Sequence, residues 1–136
     1  MLGVNVKICS PKGFEADSKI VEKAKSLSEF GSKISISNDP LKSMKDAQVI
    51  YTDVWASMGQ EEEHLKRKKI FENYKVDQKL IELADEGAII LHCLPAHRGE
   101  EITEEALECE HSYIFEQAEN RLHVQQALLA VQLGGL

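Results

Sequence analysis

The sequence predicts an α/β domain of the Rossmann-like type, a three-layer arrangement in which a parallel β-sheet carries helices on both faces. Two observations lead to this prediction. Short apolar or alternating segments typical of strands recur along the chain, and helical periodicity or helix caps lie between successive strands. No repeat and no linker rich in Pro, Gly or Ser interrupts the 136 residues, of which 43% are hydrophobic, so we expect one domain.

The predicted strands are short runs of alternating or continuous apolar residues. In chain order they are 4–8, 34–37, 48–52, 88–91 and 112–115. The first alternates in polarity and ends at a turn that contains Pro11 and Gly13. The fourth reads Ala-Ile-Ile-Leu and is uniformly apolar, as expected of a parallel strand buried on both faces.

The predicted helices lie between these strands and after the last one. In chain order they are 17–30, 40–45, 61–69, 77–87, 103–108 and 120–133. Gly31 and Gly87 follow two of them as C-terminal caps, while Asp39 and Asp77 begin two others as N-caps. Helix 61–69 has acidic residues in its first turn and basic residues later, which is typical of a solvated helix. The apolar face of the last helix consists of Val124, Ala127, Leu128 and Val131.

Composition excludes several classes of function. Sixteen Lys and Arg against 23 Asp and Glu give a net charge of −7, so the chain as a whole would repel a phosphate backbone and we expect no nucleic-acid partner. Three cysteines far apart indicate reduced thiols in a cytoplasmic protein rather than a disulfide framework. Apolar runs are too short to span a bilayer, so we expect no membrane partner. Neither a G-x-G-x-x-G nor a G-x-x-x-x-G-K-[ST] motif is present, so no NAD or ATP is implied.

Ligands of Rossmann-like sheets bind beyond the carboxyl ends of the strands, and two such segments are unusual in composition. Segment 53–59 reads DVWASMG and places a carboxylate and a hydroxyl in one loop, as a site for an ammonium group would. Segment 92–99 reads HCLPAHRG and concentrates two imidazoles, a thiol and a guanidinium. Taken alone, the first is also explained by helix capping and by Trp55 covering the core.

Three interpretations of segment 92–99 remain open from the residues alone. A metal site would have only His92, Cys93 and His97 as ligands, at an unusual spacing. A cysteine nucleophile assisted by histidine lacks an identifiable Asn or Asp partner. The third interpretation is a structural cysteine beside a structural histidine.

A resemblance to a known family favours a different interpretation. The motifs DVWASMG at 53–59, HCLP at 92–95 and FEQAENRLH at 115–123, with the turn SPKGF at 10–14, closely resemble the C-terminal, ornithine-binding domain of ornithine carbamoyltransferases. The match runs over essentially the whole chain, 1–136. The family transfers the carbamoyl group of carbamoyl phosphate to the δ-amine of ornithine, which gives citrulline and phosphate.

The resemblance implies a role for each matched residue. Asp53 pairs with the α-ammonium of ornithine, and Ser57 with Met58 completes the amino-acid pocket. Cys93 is the catalytic thiol beside the δ-amine. Leu94, through its carbonyl, and Arg121 contact the carbamoyl phosphate, as does Cys93. No metal or organic cofactor is implied.

The same resemblance implies that part of the machinery lies elsewhere. Nothing in the chain resembles Ser-x-Arg-Thr-Arg or His-Pro-x-Gln, the family's motifs for phosphate and for the carbamoyl oxygen. We therefore expect a partial domain without its first, central strand, inactive alone, whose partner is a separate N-terminal half or a homo-oligomer. The alternatives are a non-catalytic ornithine-binding remnant or partner subunit, and a redox or metal module at Cys93.

The role implied for Cys93 involves the transfer of a proton. The δ-amine must lose a proton before it can attack, and a thiolate whose pKa is lowered by a nearby positive charge or helix N-terminus would accept it. The sequence thus predicts an acidic thiol at Cys93 wherever such a charge is present.

Overall fold

The computed structural model describes residues 3–56 and 61–134. Within these two ranges lie four strands, six helices and one 3₁₀ turn, Glu72–Tyr74, which follows the third helix. The strands are β1 Val6–Cys9, β2 Ile34–Ser37, β3 Val49–Thr52 and β4 Ile89–His92. The helices are α1 Ser18–Ser26, α2 Pro40–Met44, α3 Glu61–Phe71, α4 Gln78–Ile81, α5 Glu104–Leu107 and α6 Ile114–Gln132.

The strands form two parallel pairs. β1 pairs with β2, and β3 pairs with β4 in the register that sets Thr52 opposite His92. One groove is lined by residues of both β1 and β3, so it lies between one strand of each pair. This is the arrangement expected of a Rossmann-like parallel sheet that lacks a central strand, and it confirms the predicted fold class.

Side-chain caps start most of the short helices, as the sequence predicts for two of them. The carboxylates of Asp39 and Asp77 accept backbone N–H groups of the first turns of α2 and α4, and Asp17 and Thr103 do the same for α1 and α5. Helix 17–30 is shorter than expected, since α1 ends at Ser26. The predicted helix 77–87 is also shorter, and its last residues form turns.

The predicted strand 112–115 is wrong. Only one isolated parallel bridge, between Ile90 and Ser112, joins this segment to β4. The N–H of Ile90 donates to His111 and the N–H of Tyr113 donates back to Ile90, after which the helical bond from Gln117 to Tyr113 begins α6. The segment therefore pairs with β4 at a single bridge, and helix α6 begins at Ile114 before a strand can form.

The hydrophobic core lies around the β3–β4 pair. It consists of Ile50, Val76, Ala88, Ile90, Ile102, Ala106, Leu107 and Ile114, all buried. Helix α6 contributes only Ile114 to the buried set, while its predicted apolar face is exposed at Val124, Leu128 and Val131. Among the described residues no helix is both long and apolar enough to cross a membrane.

Truncation of a core side chain tests where the stability resides. Ile102 is fully buried, whereas Ile20 on α1 is 68% exposed. We expect Ile102→Ala to lower the free energy of unfolding by about 2–5 kcal/mol through the cavity it leaves. Ile20→Ala should change it by less than about 1 kcal/mol. Urea denaturation followed by circular dichroism measures both, and equal losses would contradict this location of the core.

Candidate functional site

The register of β3 and β4 brings the two predicted site segments together. Because Thr52 pairs with His92 in parallel strands, the residues that follow them, Asp53 and Cys93, emerge side by side at the carboxyl ends. The thiol Sγ of Cys93 donates a hydrogen bond of 3.0 Å to Oδ1 of Asp53. Oδ1 also accepts the N–H of Val54 at 2.7 Å. A carboxylate and a thiol, 40 residues apart in the chain, thus form one exposed site.

The electrostatics of Cys93 oppose the expectation of an acidic thiol. Partial burial raises the pKa of Cys93 above its usual value of 9.0, and the hydrogen bond to the negative Asp53 raises it further. A hydrogen bond involving Tyr51 acts in the opposite direction but does not outweigh these causes. The prediction of a lowered pKa is not met by this arrangement, because the nearest charge is a carboxylate. At neutral pH Cys93 is a protonated thiol that donates to Asp53.

Tyr51 and Gln117 connect the strands that carry Asp53 and Cys93 to α6. The side-chain amide of Gln117 donates from Nε2 to the Tyr51 hydroxyl at 3.2 Å and accepts the backbone N–H of His92 through Oε1 at 2.9 Å. One glutamine therefore spans the carboxyl ends of both β3 and β4. Neither residue was predicted from the sequence to have a role, although Gln117 lies inside the FEQAENRLH motif.

A buried histidine–glutamate pair shapes the loop that begins at Cys93. The side chains of His92 and Glu101 are fully buried, and Nε2 of His92 lies 3.2 Å from Oε1 of Glu101. Nδ1 of the same ring accepts the N–H of Leu94 at 2.9 Å, so the ring proton resides on Nε2 and is donated to Glu101. Glu101 also accepts the N–H of His97 at 2.6 Å. These bonds hold Leu94 in a left-handed conformation, with φ of 52°.

The charge state of Glu101 follows from those hydrogen bonds. Burial alone would raise the pKa of Glu101, but the bonds from His92 and from the His97 N–H outweigh burial and hold the pKa below its usual 4.5. Glu101 was not predicted from the sequence as a functional residue. It stands in the acidic run GEEITEE, where nothing in the letters separates a buried carboxylate from exposed ones.

The remaining predicted site residues differ in how close they lie to the Asp53–Cys93 contact. Ser57 and Met58 lie outside the described residues. Leu94 is half-buried and packs against the core. Arg121 is exposed on α6, one turn beyond Gln117 and thus on the same side of that helix. The structure brings together Asp53 and Cys93, with Leu94 adjoining them.

The geometry also bears on the two chemical alternatives for segment 92–99. Both ring nitrogens of His92 are engaged, by Leu94 and by Glu101, so His92 serves neither as a ligand beside Cys93 nor as a base for its thiol. In the part of the chain that the structure describes, the group with metal-ligand spacing is a different one, made of His64, His97 and Glu100.

Comparisons with known proteins agree with this fold. Residues 1–132 match the family model described as aspartate/ornithine carbamoyltransferase, Asp/Orn binding domain. The ornithine carbamoyltransferase of Prochlorococcus marinus is 62% identical over 136 residues, which are 100% of this chain and 43% of that protein.

Two solved structures extend the comparison. The ornithine carbamoyltransferase of Pyrococcus furiosus superposes with a TM-score of 0.90 at 46% identity, over 99% of this chain and 44% of that one. An N-acetyl-L-ornithine transcarbamylase mutant complexed with PALAO gives a TM-score of 0.80 at 26% identity, over 95% of this chain and 40% of that one.

The fold is that of an α/β domain of the carbamoyltransferase class. The chain belongs to the aspartate/ornithine carbamoyltransferase family, as its Asp/Orn binding domain. It spans less than half the length of the curated relatives that it matches.

The raised pKa of Cys93 leads to a test with a single thiol. In a chain carrying Cys9→Ser and Cys109→Ser, Asp53→Asn removes the negative charge beside Cys93 and should lower its pKa. The thiolate fraction at pH 7.5, and with it the alkylation rate by iodoacetamide, should rise about three- to tenfold. Asp46→Asn, at the opposite end of β3, is the matched control. Equal rates in all three proteins would contradict the described contact.

The lowered pKa of Glu101 makes a pH prediction. A depressed carboxylate pKa contributes stability that is present above about pH 4.5 and is lost as the pH falls through the folded-state value. Glu101→Gln should therefore lower the free energy of unfolding by about 1–3 kcal/mol at pH 7 and flatten its decline below pH 4.5. Urea titrations across this range measure both effects. Glu105→Gln, on an exposed side chain of α5, should do neither, and an unchanged acid slope in Glu101→Gln would refute the assignment.

Proposed function

We propose that this chain is the ornithine-binding half of an ornithine carbamoyltransferase, in which residues 1–136 form a partial domain. The observation that carries the proposal is the contact between Asp53 and Cys93 at the carboxyl ends of two paired parallel strands. The identity to proteins named ornithine carbamoyltransferase supports the substrate. The reaction forms a bond between the δ-nitrogen of ornithine and the carbamoyl carbon, breaks the bond from that carbon to the phosphate oxygen, and releases one proton.

The amino-acid end of ornithine is assigned to the segment after β3. Asp53 is exposed and offers a carboxylate to the α-ammonium, with Ser57 and Met58 completing the pocket. The thiol of Cys93 at present donates to Asp53, so an ammonium bound to Asp53 replaces the thiol as the partner of that carboxylate. Once the negative charge is paired, one cause of the raised pKa of Cys93 is removed. Binding of the substrate thereby lowers the pKa of Cys93 and raises the fraction present as thiolate, which is the form that can accept a proton.

The reacting end of ornithine is assigned to the segment after β4. Cys93 faces the δ-amine and takes part in removing its proton, and the Leu94 carbonyl orients the carbamoyl group. Arg121 contacts carbamoyl phosphate from α6. Tyr51 and Gln117 are positioning residues, since they connect these elements without being assigned to a substrate. Correct orientation of the amine and the carbamoyl carbon can lower the activation barrier by about 7–11 kcal/mol. The hydrogen bonds that position these elements therefore affect the rate.

Phosphate binding and polarisation of the carbamoyl oxygen need groups that the sequence motifs here do not supply. Stabilisation of developing charge is usually the largest catalytic contribution. The chain therefore needs a partner, which we propose to be a carbamoyl phosphate-binding N-terminal half. Homo-oligomers assembled through such a half are the corresponding expectation for the complete enzyme.

Complementation tests the proposal. Citrulline formation from ornithine and carbamoyl phosphate is measured with the full chain alone, and with the chain mixed with the N-terminal half of an ornithine carbamoyltransferase. We expect turnover only on mixing, and a decrease of about 10²- to 10⁴-fold with Cys93→Ala. Cys109→Ala, at a half-buried thiol away from the site, should retain turnover.

The other outcomes separate the competing functions. Turnover by the chain alone would overturn the need for a second half. No turnover in any mixture, from protein shown to be folded and to bind ornithine, would identify a non-catalytic ornithine-binding protein. Turnover that survives Cys93→Ala unchanged would remove Cys93 from the reaction.

A further inference from the structure

Two imidazoles and one carboxylate converge on the far side of the loop that begins at Cys93. His64 lies on α3, while His97 and Glu100 lie in the turn between β4 and α5. One ligand atom from each of the three lies within 4.8 Å of the other two. Nε2 of His64 is 2.8 Å from Oε2 of Glu100, and the rings of His64 and His97 stand nearly perpendicular with centroids 6.0 Å apart.

The backbone holds two of these residues in place. The N–H of Glu100 donates to the carbonyl of His97 at 2.9 Å, which closes a turn, and Gly99 takes a φ of +84° that favours glycine there. The N–H of His97 is bound by the buried carboxylate of Glu101. His97 and Glu100 therefore project from one restrained turn toward α3, and only the side chain of His64 has to approach from a second element.

We propose that His64, His97 and Glu100 form a binding site for a divalent transition-metal ion of the zinc class. Two imidazoles and one carboxylate are a ligand set that zinc accepts, with a fourth position left for water. Bond lengths near 2.0–2.1 Å put tetrahedral ligand atoms roughly 3.3 Å apart. Nε2 of His64 lies 2.8 Å from Oε2 of Glu100 and all three ligand atoms lie within 4.8 Å of one another, so small side-chain movements would bring them to that spacing.

The charges around the cluster are compatible with an ion. Lys68 lies 3.0 Å from Oε1 of Glu100, and its side chain is half exposed. Oε2 of the same carboxylate faces His64 instead. The two oxygens are thus divided between partners, so that Oε2 is available to a metal while Oε1 keeps its lysine. The Glu100 side chain is only 17% exposed, which strengthens its interaction with a cation.

The position of the site gives the ion a structural consequence. α3 begins at Glu61, directly after the segment that starts at Asp53, and the turn of His97 continues the loop that starts at Cys93. An ion bound by His64 on α3 and by His97 and Glu100 in the turn would connect α3 to the loop that begins at Cys93. The site does not depend on the proposed function, because none of its three residues is assigned to a substrate.

Zinc binding by the full, untagged chain tests the inference. Isothermal titration calorimetry with ZnCl₂ should give one tight equivalent, and Co²⁺ in its place should show the intense visible absorption of a tetrahedral site. His64→Gln and His97→Gln should each weaken zinc binding at least tenfold. His123→Gln, at an exposed histidine outside the cluster, and Cys93→Ser should leave it unchanged.

The opposite results are equally clear. No zinc bound by the unaltered chain, or affinity that His64→Gln and His97→Gln leave intact, would overturn the site. Loss of binding with Cys93→Ser alone would assign the ion to the thiol and carboxylate of the Cys93–Asp53 pair instead. Matching circular dichroism of the metal-free variants establishes that they are folded, and Glu100→Gln provides a third ligand substitution should one histidine variant fail this check.

Discussion

The register of the β3–β4 pair is the constraint on which the site depends. A parallel pairing that sets Thr52 against His92 leaves the next residue of each strand at the same edge, so a carboxylate and a thiol distant in sequence become hydrogen-bonded neighbours. Ile50 and Ile90, buried in the two strands, anchor that register in the core. A shift by one residue would separate Asp53 from Cys93 and turn these isoleucines toward the opposite face.

Polar groups at this edge are held by other polar groups rather than by apolar packing. His92 uses both ring nitrogens within the loop, Glu101 accepts from a side chain and from the backbone, and Gln117 joins both strands to α6. These bonds favour one loop conformation, although Oε2 of Glu101 is buried without a hydrogen-bond partner among the described residues. The loop after β4 owes its shape to that network, with Leu94 in a conformation that non-glycine residues rarely adopt.

Much of the fold follows from local signals in the sequence. Strand 34–37 and the caps at Asp39 and Asp77 were predictable because alternation and capping are decided within a few residues. The segment 112–115 was not, since its apolar letters suit a strand and a helix equally, and one bridge to Ile90 followed by α6 satisfies its backbone. The separate strand pairs and the exposed face of α6 agree with the expectation of a partial sheet.

The candidate site was predictable in its composition and only partly in its chemistry. Motifs identified Asp53 and Cys93, but the pKa of Cys93 is raised by its burial and by the contact with Asp53, and both depend on parts of the chain distant in sequence. Glu101 and Tyr51 escaped attention for the same reason. Their roles come from partners distant in sequence, and an acidic run or an aromatic residue in a strand carries no local sign of them.

Ornithine affinity of the full chain, measured by isothermal titration calorimetry, tests whether Asp53 at the β3–β4 edge binds the amino acid. If the β3–β4 edge forms the amino-acid site, ornithine binds the unaltered chain, and Asp53→Asn weakens binding at least tenfold by removing the charge that pairs with the α-ammonium. Asp46→Asn, at the other end of β3, leaves the affinity unchanged. No heat of binding, or equal affinity for ornithine in the Asp53→Asn and Asp46→Asn variants, would contradict the account.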